Sequence, residues 1–172
     1  MNHYSCTILL TLILSISMSC QPYQDQTEKQ APNASEQLAE AKAAILETLN
    51  NETKAALQRD YEAWKDKWVQ EDYVTKTYMQ FTDSTMTETL GWEAVSSFVK
   101  TYIEEHPEPA PLPAPLEDID VRLYGSGAWV SYEQNDPQYG LKRETRLMEK
   151  VDGQWKIAGM HTSIYGFVEA KK

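Results

Sequence analysis

The spacing of hydrophobic and polar positions changes near the middle of the chain and divides it into two parts. Between Ser35 and Tyr102 apolar residues recur at three- and four-residue steps, which is the pattern of amphipathic helices. From Ile119 onward apolar and polar residues alternate, which is the pattern of strands that bury one face. Helices followed by strands predict an α+β domain in which helices pack on a curved antiparallel sheet.

The helical half is predicted to contain three helices. The first begins at a Ser35 cap, bends or breaks at Asn50-Asn51 and resumes toward Trp68. A short second helix is predicted over residues 72–79, followed by a strand or irregular segment over residues 79–87. The third begins after Leu90-Gly91. The apolar stripe of the first helix consists of Leu38, Ala41, Ile45, Leu49, Leu57, Tyr61, Trp64 and Trp68.

Residues 108–116 (EPAPLPAPL) separate the two halves. Proline at every second position excludes helix and inner strand and imposes an extended backbone. The segment is predicted to be a spacer between helices and sheet, and a docking peptide for a partner is the alternative.

The second half reads as a series of strands that ends in a long hairpin. Residues 119–123, 128–134, 141–151 and 154–165 form the predicted strands. Asp152-Gly153 is a favoured two-residue turn for the last pair.

The first 20 residues indicate export and lipid attachment. Ile8–Met18 is an apolar run of signal-peptide length, too short to span a bilayer as a helix. It leads into Ser17-Met18-Ser19-Cys20, which resembles the lipobox of bacterial lipoproteins. We expect residues 1–19 to be a signal peptide and Cys20 to carry lipid. A polar tether over residues 20–35 would then join the domain to the bacterial cell envelope, on its periplasmic or outer surface. An ordinary secretory signal cleaved nearby is the alternative.

Composition excludes several classes of function. The only cysteines are Cys6 and Cys20, so the predicted domain has no thiol and no disulfide. The formal net charge of −10 argues against nucleic acid and against electrostatic docking on anionic lipid. The chain has no glycine-rich phosphate loop, and His106 and His161 lie in separate elements. We therefore predict no cofactor and no metal site.

Four segments together resemble the nuclear transport factor 2-like superfamily, which includes the SnoaL-like polyketide cyclases. They read DYEAWKDKWVQEDY, GWEAVSSFVKTYI, GSGAWVSYEQ and RETRLMEKVDGQWKIAGMHTS, within residues 45–165. The resemblance implies a cone-shaped domain over residues 36–168, with a cavity inside, before a tail of residues 169–172. It also implies a homodimer that forms through the outer sheet face.

The resemblance leaves the activity open. Enzymes of the superfamily are isomerases, dehydratases and cyclases that act on hydrophobic molecules and use a base and an oxyanion donor. No such set can be matched residue by residue here. Asp60, Asp72 and Asp83 qualify as bases by residue type only, so no catalytic residue is assigned.

The leading hypothesis is therefore non-catalytic binding of a small apolar ligand in the cone, or a role in assembly. A small isomerase, dehydratase or cyclase is the alternative, and a purely structural partner of an envelope protein is a third. The predicted ligand-binding residues are Trp64, Trp68, Tyr78, Trp92, Trp129, Tyr132, Arg143 and His161.

The position of His161 depends on strand alternation. Trp155, Ile157, Gly159 and His161 share one face unless a bulge intervenes, and Trp155 and Ile157 are strong core candidates. His161 is therefore expected to point into the cone. The strand register is open at this stage, so either Arg143 or Arg146 could reach into it.

Overall fold

The computed structural model describes residues 33–136 and 139–166. The predicted signal peptide, the lipidation site at Cys20, the tether up to residue 32 and the predicted tail lie outside these residues. Within the described residues, three helices precede and interrupt a six-stranded sheet. The elements are α1 (Ala34–Leu57), α2 (Tyr61–Lys65), β1 (Thr75–Gln80), β2 (Thr85–Leu90), α3 (Trp92–Glu105), β3 (Asp120–Tyr124), β4 (Gly127–Asp136), β5 (Gly140–Val151) and β6 (Gln154–Gly166).

Helix α1 differs from its prediction at both ends. Asn33, not Ser35, caps it, in a reciprocal capping box with Glu36. The helix continues through Asn50 and Asn51 and ends before Arg59, whose φ of 64° is incompatible with a further helical turn. The predicted break at Asn50-Asn51 is therefore wrong.

Strand β1 occupies residues that were predicted to be helical. Thr75 and Thr77 are β-branched and favour extended backbone, and the strand gains partners on both sides. It pairs with β2 in an antiparallel hairpin and with β6 in parallel. Pairing with β6, which is distant in sequence, therefore overrides the local pattern that predicted a short helix over residues 72–79.

The sheet has the order β2-β1-β6-β5-β4-β3 and is open at both edges. All its pairs are antiparallel except β1 with β6. The helices cover one face of the sheet, which we call the inner face, and the other is the outer face. The core between them includes Ile45 and Leu49 of α1, Val95 of α3 and Val130 and Ile157 of the sheet.

A bulge in β6 decides which side chains face the helices. Leu147 of β5 pairs with Gly159, but the next residue, Met148, pairs with Ile157. Ala158 is therefore an extra residue in the ladder, and the alternation changes by one position beyond it. His161 lies on the outer face and is exposed, so the prediction that it points into the cone is wrong.

The segment between α3 and β3 has neither helix nor strand from His106 to Ile119. Its backbone is held against the end of α1, since the Ala110 amide donates to the Leu57 carbonyl. Asn50 holds Leu116 by two bonds, accepting from its amide at 2.8 Å and donating to its carbonyl at 3.1 Å. The prediction that residues 108–116 form neither helix nor inner strand is therefore confirmed.

Within residues 33–136 and 139–166, no helix has the length and apolar character needed to cross a membrane.

Candidate functional site

Polar side chains occupy much of the inner face of the sheet. Strand register arranges them in three lateral rows across β1, β6, β5 and β4, which we call the inner ladder. The first row is Lys76, Met160, Arg146 and Val130. The second is Tyr78, Thr162, Glu144 and Tyr132. The third is Gln80, Ile164, Lys142 and Gln134.

Burial decreases from the first row to the third. Every side chain of the first row is buried, and only Tyr78 is half-buried in the second. In the third row Gln80, Lys142 and Gln134 are all half-buried. The inner ladder therefore opens toward its third row.

Glu144 and Arg146 form a buried ion pair at the centre of the inner ladder. The two residues are 2% and 4% exposed, and Arg146 Nη2 lies 3.3 Å from Glu144 Oε2. Thr162 donates its hydroxyl to the same carboxylate oxygen at 2.8 Å, and Lys142 Nζ lies 3.9 Å from the other. The carboxylate is thus held by three neighbouring side chains.

Arg146 keeps donors that these contacts do not use. Its Nε and Nη1 atoms are buried and have no hydrogen-bond partner. Burial by itself would lower the pKa of the guanidinium, but a side-chain interaction with Tyr132 and the charges of Glu144 and Glu52 raise it above its ordinary value. The side chain is therefore a charged donor with unmet hydrogen-bonding capacity inside the fold, an arrangement that costs stability.

Tyr132 stays neutral beside this pair. Burial raises its pKa to about 12, and the charge of Arg146 offsets part of that effect. At ordinary pH the phenol is a neutral hydroxyl that can donate to or accept from a ligand.

Lys76 is buried among aromatic and sulfur groups. Its Nζ atom lies 5.4 Å from the centre of the Trp68 ring, 5.1 Å from that of Tyr78 and 3.0 Å from Met160 Sδ. Cation–π attraction supports an ammonium there. Among the described residues no carboxylate lies within 4.0 Å of it, so this buried charge has no ion-pair partner.

Glu52 of α1 is the second buried carboxylate near the inner ladder. One of its oxygens accepts the indole N–H of Trp64 at 2.8 Å and that of Trp68 at 3.3 Å. Its charge affects Arg146 and Tyr132, which places it on the helix side of the same interior.

The aromatic residues predicted on the helices form part of this interior. Trp64 is buried, stacks on Trp92 at 5.8 Å and contacts Trp68 at 5.4 Å. Trp92 is half-buried. Of the predicted ligand-binding residues, the structure places Trp64, Trp68, Tyr78 and Tyr132 together at the interior.

Of the other four predicted ligand-binding residues, Trp92 is half-buried against Trp64, and the remaining three lie on the outer face. Trp129 is 47% exposed, and Arg143 and His161 are exposed as well. Strand alternation turns Trp129 and Arg143 outward because Val130 and Arg146 point inward. His161 Nε2 lies 3.4 Å from Thr75 Oγ1 on that face. The expectation that they line the cone is therefore corrected.

Sequence reasoning missed three charged residues of the interior, Glu52, Lys76 and Glu144, and left Arg146 as an alternative to Arg143. A signal was present in β5, where Lys142, Glu144 and Arg146 occupy alternate positions. Charges at every second position of one strand share one face. The pattern did not say which face the helices cover.

Open depressions of about 260 and 440 Å³ lie at the edge of β3 and β4 and at the start of α3. Only the first touches the inner ladder, at Tyr132. The described residues contain no group of histidine, cysteine and carboxylate side chains that could hold a metal ion.

Comparison with known proteins agrees with this architecture. The SnoaL-like domain family matches residues 45–166. A nuclear transport factor 2-like protein of unknown function from Pseudomonas putida has 16% identity and a TM-score of 0.58, covering 78% of this chain and 98% of its own. A cystatin-like fold protein from Burkholderia xenovorans has 21% identity and a TM-score of 0.55, with coverages of 73% and 92%.

A third solved structure is that of a candidate dehydratase of the nuclear transport factor 2-like family from Streptomyces avermitilis. It has 17% identity and a TM-score of 0.55, covering 77% of this chain and 99% of its own. At these identities the three structures support the fold alone. No curated protein shows significant similarity to the chain.

Proposed function

Because the chain belongs to the SnoaL-like domain family, we propose that its cone binds a small, largely apolar molecule and does not convert it. The site is the inner ladder together with the tryptophans that cover it. The single observation that supports binding is the pair of buried, unpartnered donors on Arg146. A ligand that accepts hydrogen bonds from them removes the cost of leaving them unmet.

The arrangement of the interior supports an apolar ligand body. Trp68, Tyr78 and Tyr132 surround the charged centre with aromatic surface. Met160 lies in the row between Lys76 and Arg146, and methionine rearranges more readily than other core residues. Ligand entry would occur from the half-buried third row, with Met160 moving aside.

Enzymatic dehydration or isomerisation is the alternative, favoured by the fold shared with the candidate dehydratase. Such chemistry needs a base near a tyrosine or histidine donor. Tyr132 lies beside Glu144, but both interior carboxylates are already engaged with indole, hydroxyl or cationic groups. The described hydrogen bonds of Glu52 and Glu144 include none to tyrosine or histidine. Binding without conversion fits these contacts better.

The proposal includes two features of the whole protein. The lipobox-like stretch at Cys20 supports attachment to the bacterial envelope through lipid. Exposed apolar side chains on the outer face, among them Trp129 and Leu147, support a homodimer through that face.

Mass spectrometry of retained molecules tests the binding proposal. The full chain is purified into nanodiscs of one synthetic lipid, and other bound organic molecules are then extracted and identified. We expect a retained molecule in the wild type and in Arg143→Met, which changes an outer-face arginine of the same strand. The double variant Glu144→Gln/Arg146→Met should lose it.

Absence of any retained molecule from the wild type would count against binding and favour a purely structural role. Equal retention by the double variant would show that the molecule binds elsewhere. Conversion of the retained molecule by the wild type would favour the enzymatic alternative.

A further inference from the structure

We propose that the bound molecule carries a carboxylate, which is held between Lys76 and Arg146 in the first row of the inner ladder. This inference rests on the proposed binding function and specifies the chemical class of the ligand.

The two cations flank one position of the sheet. Lys76 pairs with Met160 on one side, and Arg146 pairs with Met160 on the other. Two strand spacings put their Cα atoms about 10 Å apart. Two long side chains and one carboxylate can fill that distance once the Met160 side chain moves aside.

Both cations have donor capacity left over. Arg146 uses Nη2 toward Glu144, which leaves Nε and Nη1 without partners. The described contacts of Lys76 Nζ are one sulfur atom and two aromatic faces, and none of them is an anion. Carboxylate oxygens accept charge-assisted hydrogen bonds from both kinds of donor.

The two buried carboxylates near the inner ladder, Glu52 and Glu144, are already engaged elsewhere. Glu144 contacts Thr162 and Arg146, and Glu52 accepts from the indoles of Trp64 and Trp68. Glu52 does not form an ion pair with Lys76. An anion supplied by a ligand is therefore the partner that this ammonium lacks.

A buried lysine without an anion is costly to the fold. Replacing such a group by an apolar residue of similar shape is often neutral or stabilising. A side chain that lowers stability and projects into a family binding cone is better explained by ligand contact than by packing. Lys76 therefore differs from an ordinary core residue, whose replacement would lower stability. The melting temperature of a Lys76 variant gives the test a second readout.

Calorimetry with two matched probes tests the inference on the full chain in nanodiscs. Benzoate carries the carboxylate, and benzyl alcohol is a neutral probe with the same ring. We expect the wild type to bind benzoate more tightly than benzyl alcohol. Lys76→Met should weaken benzoate binding about tenfold or more, because a charge-assisted bond is lost, and should leave benzyl alcohol unaffected. Its melting temperature should not fall.

Arg143→Met is the control, since it removes a cation from the outer face of β5 and should bind both probes like the wild type. If Lys76→Met does not fold, Glu144→Gln/Arg146→Met removes the other cation and should show the same loss for benzoate. Equal affinity of the wild type for both probes, or unchanged benzoate binding in the variants, would overturn the carboxylate assignment and leave small-molecule binding intact. Failure of the wild type to bind benzoate would also overturn it, and the retained-molecule experiment then decides the proposed function separately.

Discussion

At the scale of single residues, the main feature is a set of charges that the fold buries at a cost. Arg146 and Glu144 satisfy each other only in part, and Lys76 contacts no anion among the described residues. A core optimised for stability alone would place apolar side chains at these positions. The interior therefore contains hydrogen-bond donors and a positive charge that the protein's own side chains leave without full partners.

The ion pair leads to a first prediction. Arg146→Met leaves the Glu144 carboxylate buried without its guanidinium, and we expect a loss of about 3–5 kcal/mol of unfolding free energy. Glu144→Gln/Arg146→Met should recover much of that loss, because glutamine can still accept from Thr162. Urea unfolding followed by circular dichroism measures both. Arg143→Met should stay within about 0.5 kcal/mol of the wild type. A similar loss in the single and double variants would show that the pair is not coupled.

Tyr132 leads to a second prediction, on alkaline stability. Burial raises its folded-state pKa to about 12, above the ordinary tyrosine pKa of 10.0. The folded state thus holds the phenolic proton more tightly, and this stabilisation is complete below pH 10. It is lost as pH rises from about 10 to 12, up to about 2–3 kcal/mol. Urea unfolding at pH 9 and pH 11 should show a smaller alkaline loss for Tyr132→Phe than for the wild type. Equal losses of unfolding free energy in Tyr132→Phe and in the wild type would mean that the folded-state pKa of Tyr132 is not raised.

At the scale of secondary-structure elements, contacts distant in sequence decide several boundaries. Asn50 does not break α1, because its side chain is used to fix the spacer at Leu116. The bulge at Ala158 lets β6 bury Trp155 and Ile157 before the bulge and Met160 after it, all on the inner face. Without the extra residue, His161 would occupy the interior and Met160 the outer face.

The Asn50 contact leads to a third prediction. Asn50→Ala removes two hydrogen bonds and leaves the Leu116 amide without its partner, which should cost about 1–2 kcal/mol of unfolding free energy. Asn51→Ala is the matched control on the exposed side of the same helix. It should be neutral or slightly stabilising, because alanine favours helix more than asparagine does. Denaturant unfolding of the two variants measures the difference, and equal effects would contradict the assigned role of Asn50.

At the scale of the whole molecule, the two faces of the sheet carry different side chains. The inner face carries the inner ladder, and the outer face exposes apolar groups such as Trp129, Leu147 and Met86. Burial of these side chains against a second copy would offset the repulsion between acidic chains at physiological salt.

The outer face leads to a fourth prediction. Multi-angle light scattering should show a homodimer at micromolar concentration, and Trp129→Glu should shift it to monomer without unfolding it, because the tryptophan is half exposed in the single chain. Phe98→Glu is a control on α3, away from the outer face, where the side chain is exposed to a similar degree. A wild-type monomer at that concentration would contradict the dimer.

The lipid anchor leads to a fifth prediction. If Cys20 is lipidated, globomycin should cause the unprocessed precursor to accumulate, and Cys20→Ala should release the protein from membranes. Cell fractionation and immunoblotting measure both effects. Cys6→Ala is the matched control and should leave the membrane fraction unchanged. Normal processing under globomycin would favour an ordinary secretory signal.

The sequence by itself determined the class of fold. Hydrophobic periodicity and turn residues act within single elements, so they indicate where helices, strands and hairpins form. Alternation over residues 141–165 and the Asp152-Gly153 turn predicted the β5–β6 hairpin, and helical spacing predicted α3. The same patterns predicted helices on the N-terminal side and the burial of Trp64 and Trp68, whereas two strands, β1 and β2, precede α3.

Only the tertiary structure decided which residues face the cone. A bulge of one residue moves His161 outward, and register selects Arg146 in place of Arg143. Parallel pairing with β6 turns a predicted helix into β1 and brings Lys76 to the interior. These outcomes depend on pairing between strands that lie far apart in sequence, and no local pattern specifies that pairing.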